Sequence, residues 1–197
     1  MDREEIERFC GEARAWVAPR WAEWRPLIHP NLTEPQPAGM CQESAVFLRE
    51  VLAKRFPEAT WYATGGENDL CSEDPPGGMV PKGHWRPQAH AWVEGRLRDG
   101  RRLIVDITAD QFGHDGVIVT DAADERYWRT YDLREAPYPG LVSTTVGKAW
   151  AGDFIRERDG VARPGAASFT GAFLREWRRQ AEERARLHSA PSAVVER

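Results

Sequence analysis

A histidine and an aspartate lie on two neighbouring segments that are typical of a β-hairpin. The first predicted strand covers residues 88–97 and contains His90, and the second covers residues 101–108 and contains Asp106. Residues 98–100, Arg-Asp-Gly, separate the two strands, and Asp-Gly is a strong turn signal. A carboxylate beside an imidazole fixes its tautomer and stabilises the imidazolium, so the pair predicts half of a catalytic device. An ordinary polar contact between two strands is the alternative interpretation.

The length of the turn decides whether the two side chains share a face of the hairpin. A two-residue loop, residues 99–100, puts His90 and Asp106 on opposite faces, because side chains alternate along a strand. A three-residue loop, residues 98–100 with the glycine left-handed, puts them on one face. The three-residue loop also gathers the apolar residues of both strands on one common face: Ala91, Val93, Leu103, Val105 and Ile107. We therefore expect this loop, with His90 opposite Thr108 and diagonal to Asp106.

Cys41 is the nucleophile that such a pair would activate. It follows a proline-rich loop, residues 29–40, and begins a predicted helix that runs to residue 55. The first turn of a helix offers free N–H groups and the positive end of the helix dipole, and both favour an anion. The reactive form of cysteine is the thiolate, which is such an anion. A small core residue at the start of a helix is the alternative interpretation of Cys41.

The elements that position these residues follow from the apolar pattern. Helical spacing predicts an N-terminal helix over residues 2–18, with a break at Pro19 and a short further turn at residues 21–24. Cys10 lies on the apolar stripe of that helix and is expected to be a buried core thiol. Further strands are predicted at residues 60–64, 116–120 and 126–134, and the last helix at residues 170–188.

A long polar segment, residues 65–83, precedes the strand that carries His90. It is rich in glycine and proline and contains Cys71, which we expect to be exposed. Loops of this length inside a compact domain are usually functional or disordered. We therefore predict that this segment borders the site as a mobile flap.

Composition restricts the class of protein. The chain has 197 residues, 41% of them hydrophobic, which predicts one domain over residues 1–189 with a disordered tail at 190–197. A net charge of −4 does not indicate a nucleic-acid partner, and no apolar run approaches the roughly 20 residues of a membrane helix. The acidic N-terminus lacks the apolar stretch of a signal peptide, and three cysteines do not suggest a disulfide framework. We expect a cytoplasmic protein.

The order of these residues resembles that of the papain-like superfamily, and most closely its transglutaminase-like branch. The similarity is carried by Gly39-Met40-Cys41, by residues 90–93 (HAWV) and by residues 104–108 (IVDIT), and it covers residues 35–112. It implies an α+β fold in which the helix that bears the nucleophile packs on a small antiparallel sheet. Flanking N- and C-terminal helices complete the expected domain.

The resemblance also implies a function. A Cys41-His90-Asp106 triad would cleave or transfer acyl groups at amide bonds, in peptides or glutamine side chains, through an acyl-enzyme and without a cofactor. The substrate would be a peptide, a protein or a small amide. Water as acceptor makes a peptidase or amidase, which we expect ahead of an amine acceptor and an acyltransferase, although the triad itself does not distinguish them.

A glutamine that precedes the cysteine donates to the oxyanion in papain-like enzymes. Gln36 lies five residues before Cys41 and is the matching residue, with the Cys41 backbone N–H as its partner. The spacing differs from that of papain, and transglutaminase-like members often lack this glutamine. An ordinary loop residue is therefore the alternative interpretation of Gln36.

Two other functions compete with the thiol enzyme. Cys71, His84 and His90 have a spacing that suits zinc, with Cys41 or His114 as a fourth ligand, but a close Cys-x2-Cys pair is missing from the sequence. An inactive binding module that keeps the fold is the third possibility. All three triad residues are present, which favours the enzyme over this module.

Overall fold

The computed structural model describes residues 2–29, 33, 37–66, 77–130 and 141–160, together with residues 176 and 179. The predicted last helix and tail lie outside these residues, apart from residues 176 and 179, which are helical. The described chain is an α+β protein with three helices and a small antiparallel sheet. Its elements are α1 (Arg3–Ile28), α2 (Cys41–Arg55), β1 (Thr60–Gly66), β2 (Gly78–Met79), β3 (His90–Arg96), β4 (Arg102–Asp106), a 3-10 segment (Ala109–Phe112), β5 (Ile118–Asp121), β6 (Tyr127–Trp128) and α3 (Leu141–Arg158).

The main sheet has the strand order β1-β3-β4-β5, and all neighbouring strands are antiparallel. In the β3–β4 hairpin, Val93 lies opposite Val105 and Arg96 lies opposite Arg102. The Leu97 N–H donates to the Arg101 carbonyl at 2.9 Å, and Gly100 has a φ of 86°. The predicted three-residue loop with a left-handed glycine is therefore confirmed.

The helices cover one face of this sheet. The odd-numbered residues of the hairpin lie in one core with α1 and α2, as predicted for a single apolar face, and α3 packs on α2. The opposite face is also covered, which the alternation along the strands did not predict. Trp92, Ile104 and Ile118 are buried there beneath Met79 of β2, Tyr127 of β6 and Phe112. Burial on both faces explains why the strands carry apolar residues at odd and even positions alike.

The first helix is longer than predicted, because it continues without a break through Pro19 and Pro26. A proline inside a helix costs about 3 kcal/mol, since it removes one backbone hydrogen bond and its ring meets the preceding turn. Burial of Trp21, two residues further on, offsets part of this cost. The Trp21 side chain is 2% exposed, and its indole N–H donates to Ser44 Oγ at 2.9 Å. The predicted break at Pro19 is wrong because this contact with α2 holds the helix together.

The third helix was not predicted, and its sequence explains why. Leu141–Arg158 is rich in β-branched residues and contains two glycines, which lower intrinsic helix propensity. Tertiary packing supplies the stability instead. At Gly147 the helix lies so close to α2 that an added Cβ would be 2.6 Å from the Glu43 carbonyl oxygen and from Val46 Cβ. Glycine is therefore required at this crossing.

Several smaller predictions have mixed outcomes. The second helix is confirmed, with the bounds Cys41–Arg55, and Cys10 is fully buried. The segment 65–83 is not a continuous loop, because it contributes the end of β1 and all of β2. The predicted strand at 126–134 is present only as Tyr127–Trp128 within the described residues. None of the described helices is long and apolar enough to cross a membrane.

Candidate active site

His90 and Asp106 meet at one end of the sheet. His90 is the first residue of β3 and Asp106 is the last residue of β4, and because the strands are antiparallel these two ends lie side by side. His90 Nε2 lies 2.7 Å from Asp106 Oδ2. The side chains are 0% and 1% exposed, respectively. The predicted pair on one face of the hairpin is therefore present, and it is buried.

Asp106 has hydrogen-bond donors on both carboxylate oxygens. Its Oδ1 accepts from the Thr108 N–H at 2.8 Å and from Thr108 Oγ1 at 3.1 Å. Its Oδ2 accepts from the Tyr127 hydroxyl at 3.0 Å, in addition to His90. Burial on its own raises the pKa of Asp106, but the charge of His90 and these hydrogen bonds outweigh it and hold the pKa below its ordinary value. Asp106 is thus held as a carboxylate in the interior.

Cys41 is the third residue of the site. Its side chain is half-buried and interacts electrostatically with His90. Because Asp106 occupies Nε2, Nδ1 is the ring nitrogen left to exchange a proton with the thiol. Burial lowers the pKa of His90, but the charges and hydrogen bonds of Asp106 and Cys41 raise it to about 10. The three predicted residues therefore interact with one another through His90.

The start of α2 favours negative charge at Cys41. Met40 precedes the helix and contributes no side-chain cap within the described part of the chain. The N–H groups of the first helical turn, including that of Cys41, have no acceptor inside the helix. They and the helix dipole stabilise a thiolate at this position. Gly39, with a φ of 81°, forms the tight turn that leads into the helix.

The segment immediately after Asp106 forms the wall beside His90. The Phe112 ring packs edge-on against the imidazole, with 4.8 Å between ring centroids. Gln111 Nε2 lies 3.3 Å from His90 Nδ1 and donates to the Thr108 carbonyl at 2.9 Å. No role at the site was predicted from the sequence for Gln111 or Phe112. The one sequence feature that could have indicated a role at the site is that these residues directly follow the strand that carries Asp106.

The second sheet supplies a further group that was not predicted to act at the site. Tyr127 was expected only as a strand residue, whereas its hydroxyl binds Asp106 and its ring packs against Trp92 at 5.2 Å. The buried Glu94 supports this layer, because it accepts from the Trp92 indole N–H at 3.4 Å and pairs with Arg129 at 2.8 Å. No sequence motif marks the contact between Tyr127 and Asp106, because the two residues are 21 positions apart in the chain.

Two predicted residues lie outside the described part of the chain, namely Gln36 and Cys71. The oxyanion role of Gln36 therefore stays a prediction. The flap also stays a prediction, although Gly66, directly before residues 67–76 of that segment, pairs with His90 in the sheet. Among the described residues, no group of three or more His, Cys, Asp or Glu side chains is arranged to hold a metal ion. His90 is engaged by Asp106, and His114 Nε2 donates to the Val80 carbonyl at 2.8 Å.

Comparison with known proteins gives no significant match among family models, curated proteins or solved structures. The functional assignment of this chain accordingly depends on its own residues. Those residues are the thiol at the start of α2, the buried imidazole and the buried carboxylate.

Proposed function

We propose that this protein is a thiol enzyme of the transglutaminase-like type within the papain-like superfamily. In this proposal Cys41 is the nucleophile, His90 the general base and Asp106 the residue that orients His90. The observation that carries the proposal is the fully buried His90, which contacts the Asp106 carboxylate through Nε2 and interacts with the Cys41 thiol at the start of α2. The packing of α2 on an antiparallel sheet supports the assignment of the fold.

The first half of the reaction forms an acyl-enzyme. The proton of Cys41 Sγ moves to His90 Nδ1, and the thiolate attacks the carbonyl carbon of the substrate. The electron pair of the carbonyl π bond moves to oxygen, where the free N–H groups at the start of α2 stabilise it. As the tetrahedral intermediate collapses, the leaving amine takes the proton from Nδ1 and a thioester to Cys41 remains.

The second half regenerates the thiol. Water or an amine attacks the thioester while His90 removes its proton, and the departing thiolate of Cys41 regains that proton from Nδ1. Hydrolysis results from water, and acyl transfer results from an amine. We propose amide bonds of peptides or of glutamine side chains as substrates, with hydrolysis as the main outcome.

Asp106 contributes through orientation and charge. Because its hydrogen bond fixes the proton on Nε2, Nδ1 remains the nitrogen that exchanges a proton with Cys41. The carboxylate also stabilises the imidazolium that forms during attack. Both effects are strong here, since the pair is buried and a low local dielectric strengthens the interaction between charges.

Trapping of the acyl-enzyme tests this function. The protein is mixed with p-nitrophenyl acetate, quenched in acid and analysed by intact-mass measurement and peptide mapping. We expect one acetyl group, carried by Cys41, and its loss in Cys41→Ala and His90→Ala. His84→Ala is the matched control, because His84 is an exposed histidine. Acetylation of other residues, unaffected by the loss of His90, would contradict the proposal.

A further inference from the structure

Gln111 lies at the site in a fixed orientation. The Thr108 carbonyl oxygen can only accept a hydrogen bond, so the Gln111 atom 2.9 Å away from it is the amide nitrogen. The same nitrogen lies 3.3 Å from His90 Nδ1. An amide NH2 group has two hydrogens. One is donated to the Thr108 carbonyl oxygen, and the second points towards His90 Nδ1.

While Nδ1 is unprotonated, it accepts this second hydrogen. Asp106 and Cys41 both favour the protonated imidazole, and a protonated Nδ1 carries an N–H of its own, so it no longer accepts. The Gln111 amide and the imidazolium are then two donors beside the same ring nitrogen. Donors that converge in this way stabilise negative charge between them. Negative charge appears beside Cys41 when its thiolate adds to a carbonyl.

We propose that Gln111 is a further catalytic residue, whose free amide N–H donates to the oxyanion formed when Cys41 attacks the substrate carbonyl. This inference rests on the proposed acyl-transfer function and adds a specific oxyanion donor to it. The Cys41 backbone N–H, in the first turn of α2, is the partner donor. No covalent step beyond those already described is involved.

The surroundings hold Gln111 in position. Its neighbour Asp110 forms a salt bridge with Arg14 of α1, with 2.6 Å between the charged atoms. Arg14 also donates to the Gly116 carbonyl at 3.1 Å, which closes the loop that follows the 3-10 segment. Gln111 itself is partly exposed, whereas His90 behind it is fully buried. A substrate carbonyl can therefore reach the amide.

A comparison of two reagents isolates this role. Iodoacetamide alkylates a thiolate by displacing iodide from a saturated carbon, so it generates no oxyanion. Transfer of the acetyl group from p-nitrophenyl acetate generates one. We therefore expect Gln111→Met to slow acetylation of Cys41 by about 100-fold, the usual effect of removing one oxyanion donor. Alkylation of Cys41 by iodoacetamide in Gln111→Met should remain at or above the wild-type rate.

Two further variants make the result decisive. Gln111→Glu accepts hydrogen bonds where glutamine donates, so it should show the same selective loss of acetylation. Gln36→Met tests the competing donor, because Gln36 is the residue that the resemblance predicts for this role. Equal loss of both reactions in both Gln111 variants, or no loss of either, would overturn the proposal. A selective loss in Gln36→Met alone would assign the role to Gln36.

Failure of the underlying function gives a different result. If wild-type protein is not acetylated at Cys41 at all, the acyl-transfer proposal fails together with this one. If wild-type protein is acetylated through Cys41 and His90 but Gln111→Met reacts equally fast, only the role of Gln111 is lost. Alkylation of Cys41 at the wild-type rate, faster than that of Cys10 and Cys71, serves as the check that the site of each variant is intact.

Discussion

Tyr127 donates its hydroxyl hydrogen to the same Asp106 oxygen that contacts His90. The two distances are 3.0 Å and 2.7 Å. Burial, the largest influence, and the nearby charge of Asp106 raise the pKa of Tyr127, so the phenol stays neutral and remains a donor. The second sheet therefore contributes directly to the charge balance of the His90–Asp106 pair.

Loss of this hydroxyl should weaken the protein and the site together. A net hydrogen bond to a charged group is worth about 1.5–3 kcal/mol, so we expect Tyr127→Phe to lower the free energy of unfolding by that amount. Acetylation of Cys41 should also slow, because Asp106 orients His90 less firmly. Urea unfolding and p-nitrophenyl acetate kinetics measure the two effects. Tyr62→Phe, a half-buried tyrosine of β1, is the control and should change neither.

Asp106→Asn separates charge from shape. The variant is isosteric and should fold, but the imidazolium loses its counter-charge and the preferred tautomer changes. We expect acetylation of Cys41 to fall by roughly 10³–10⁴-fold, as in comparable triads. Asp121→Asn, on the neighbouring strand β5 and exposed, should retain the wild-type rate. An unchanged rate in Asp106→Asn would leave a Cys41–His90 dyad at most.

The stability of the fold should depend on the charge of His90. The pKa of His90 is raised from 6.5 to about 10, so His90 binds its proton more tightly in the folded chain than in the unfolded one. The resulting stabilisation is complete below about pH 6.5 and is lost as the pH rises through about 10. The pKa of Asp106 is lowered from 3.8. Asp106 therefore stabilises the fold fully above about pH 3.8, and this stabilisation is lost as the pH falls through the lowered pKa. Urea unfolding measured from pH 5 to about 10 should therefore show a decline that His90→Asn abolishes.

Glu43 should produce a separate pH dependence. It is buried between α2 and α3, Ser143 Oγ donates to its Oε1 at 2.6 Å, and its Oε2 has no hydrogen-bond partner among the described residues. Burial raises the pKa of Glu43 above 4.5. The fold is thus favoured with Glu43 protonated, fully below about pH 4.5, and it loses this stabilisation as the pH rises through the raised pKa.

Glu43→Gln keeps the hydrogen bond and removes the charge. We expect it to increase the free energy of unfolding at neutral pH, by up to about 1.4 kcal/mol for each unit by which the pKa is raised. The control is Glu50→Gln on the same helix, where the carboxylate pairs with Arg49 at the surface. Thermal or urea unfolding at acidic and neutral pH measures the effect. Equal stability of wild type and Glu43→Gln at neutral pH would show that the carboxyl is not strained.

Local patterns in the sequence were sufficient for the hairpin and for α2. The Asp99-Gly100 turn, the odd-numbered apolar face and the apolar spacing after Cys41 are all short-range signals, and each led to the observed element. Prediction of the pair between His90 and Asp106 followed from strand register alone. A two-residue turn would have separated them, so one glycine conformation decides the geometry of the site.

The remaining parts depend on contacts between distant segments. The continuity of α1 across Pro19 requires Trp21 to reach Ser44, and the helicity of α3 requires Gly147 to lie against α2. The approach of Tyr127 to Asp106 depends on the second sheet, whose strands have only two residues each. Patterns within a short window contain no information about such contacts, so neither the end of α1, nor α3, nor the role of Tyr127 could be predicted.

The rate of thiol alkylation tests most directly whether His90 activates Cys41. Wild-type protein and the variants His90→Ala and His84→Ala are treated with iodoacetamide at neutral pH, and each cysteine is followed by peptide mapping. We predict that Cys41 reacts faster than Cys10 and Cys71, that His90→Ala slows the alkylation of Cys41 markedly, and that His84→Ala does not. Preferential labelling of Cys71, with no dependence on His90, would contradict the account.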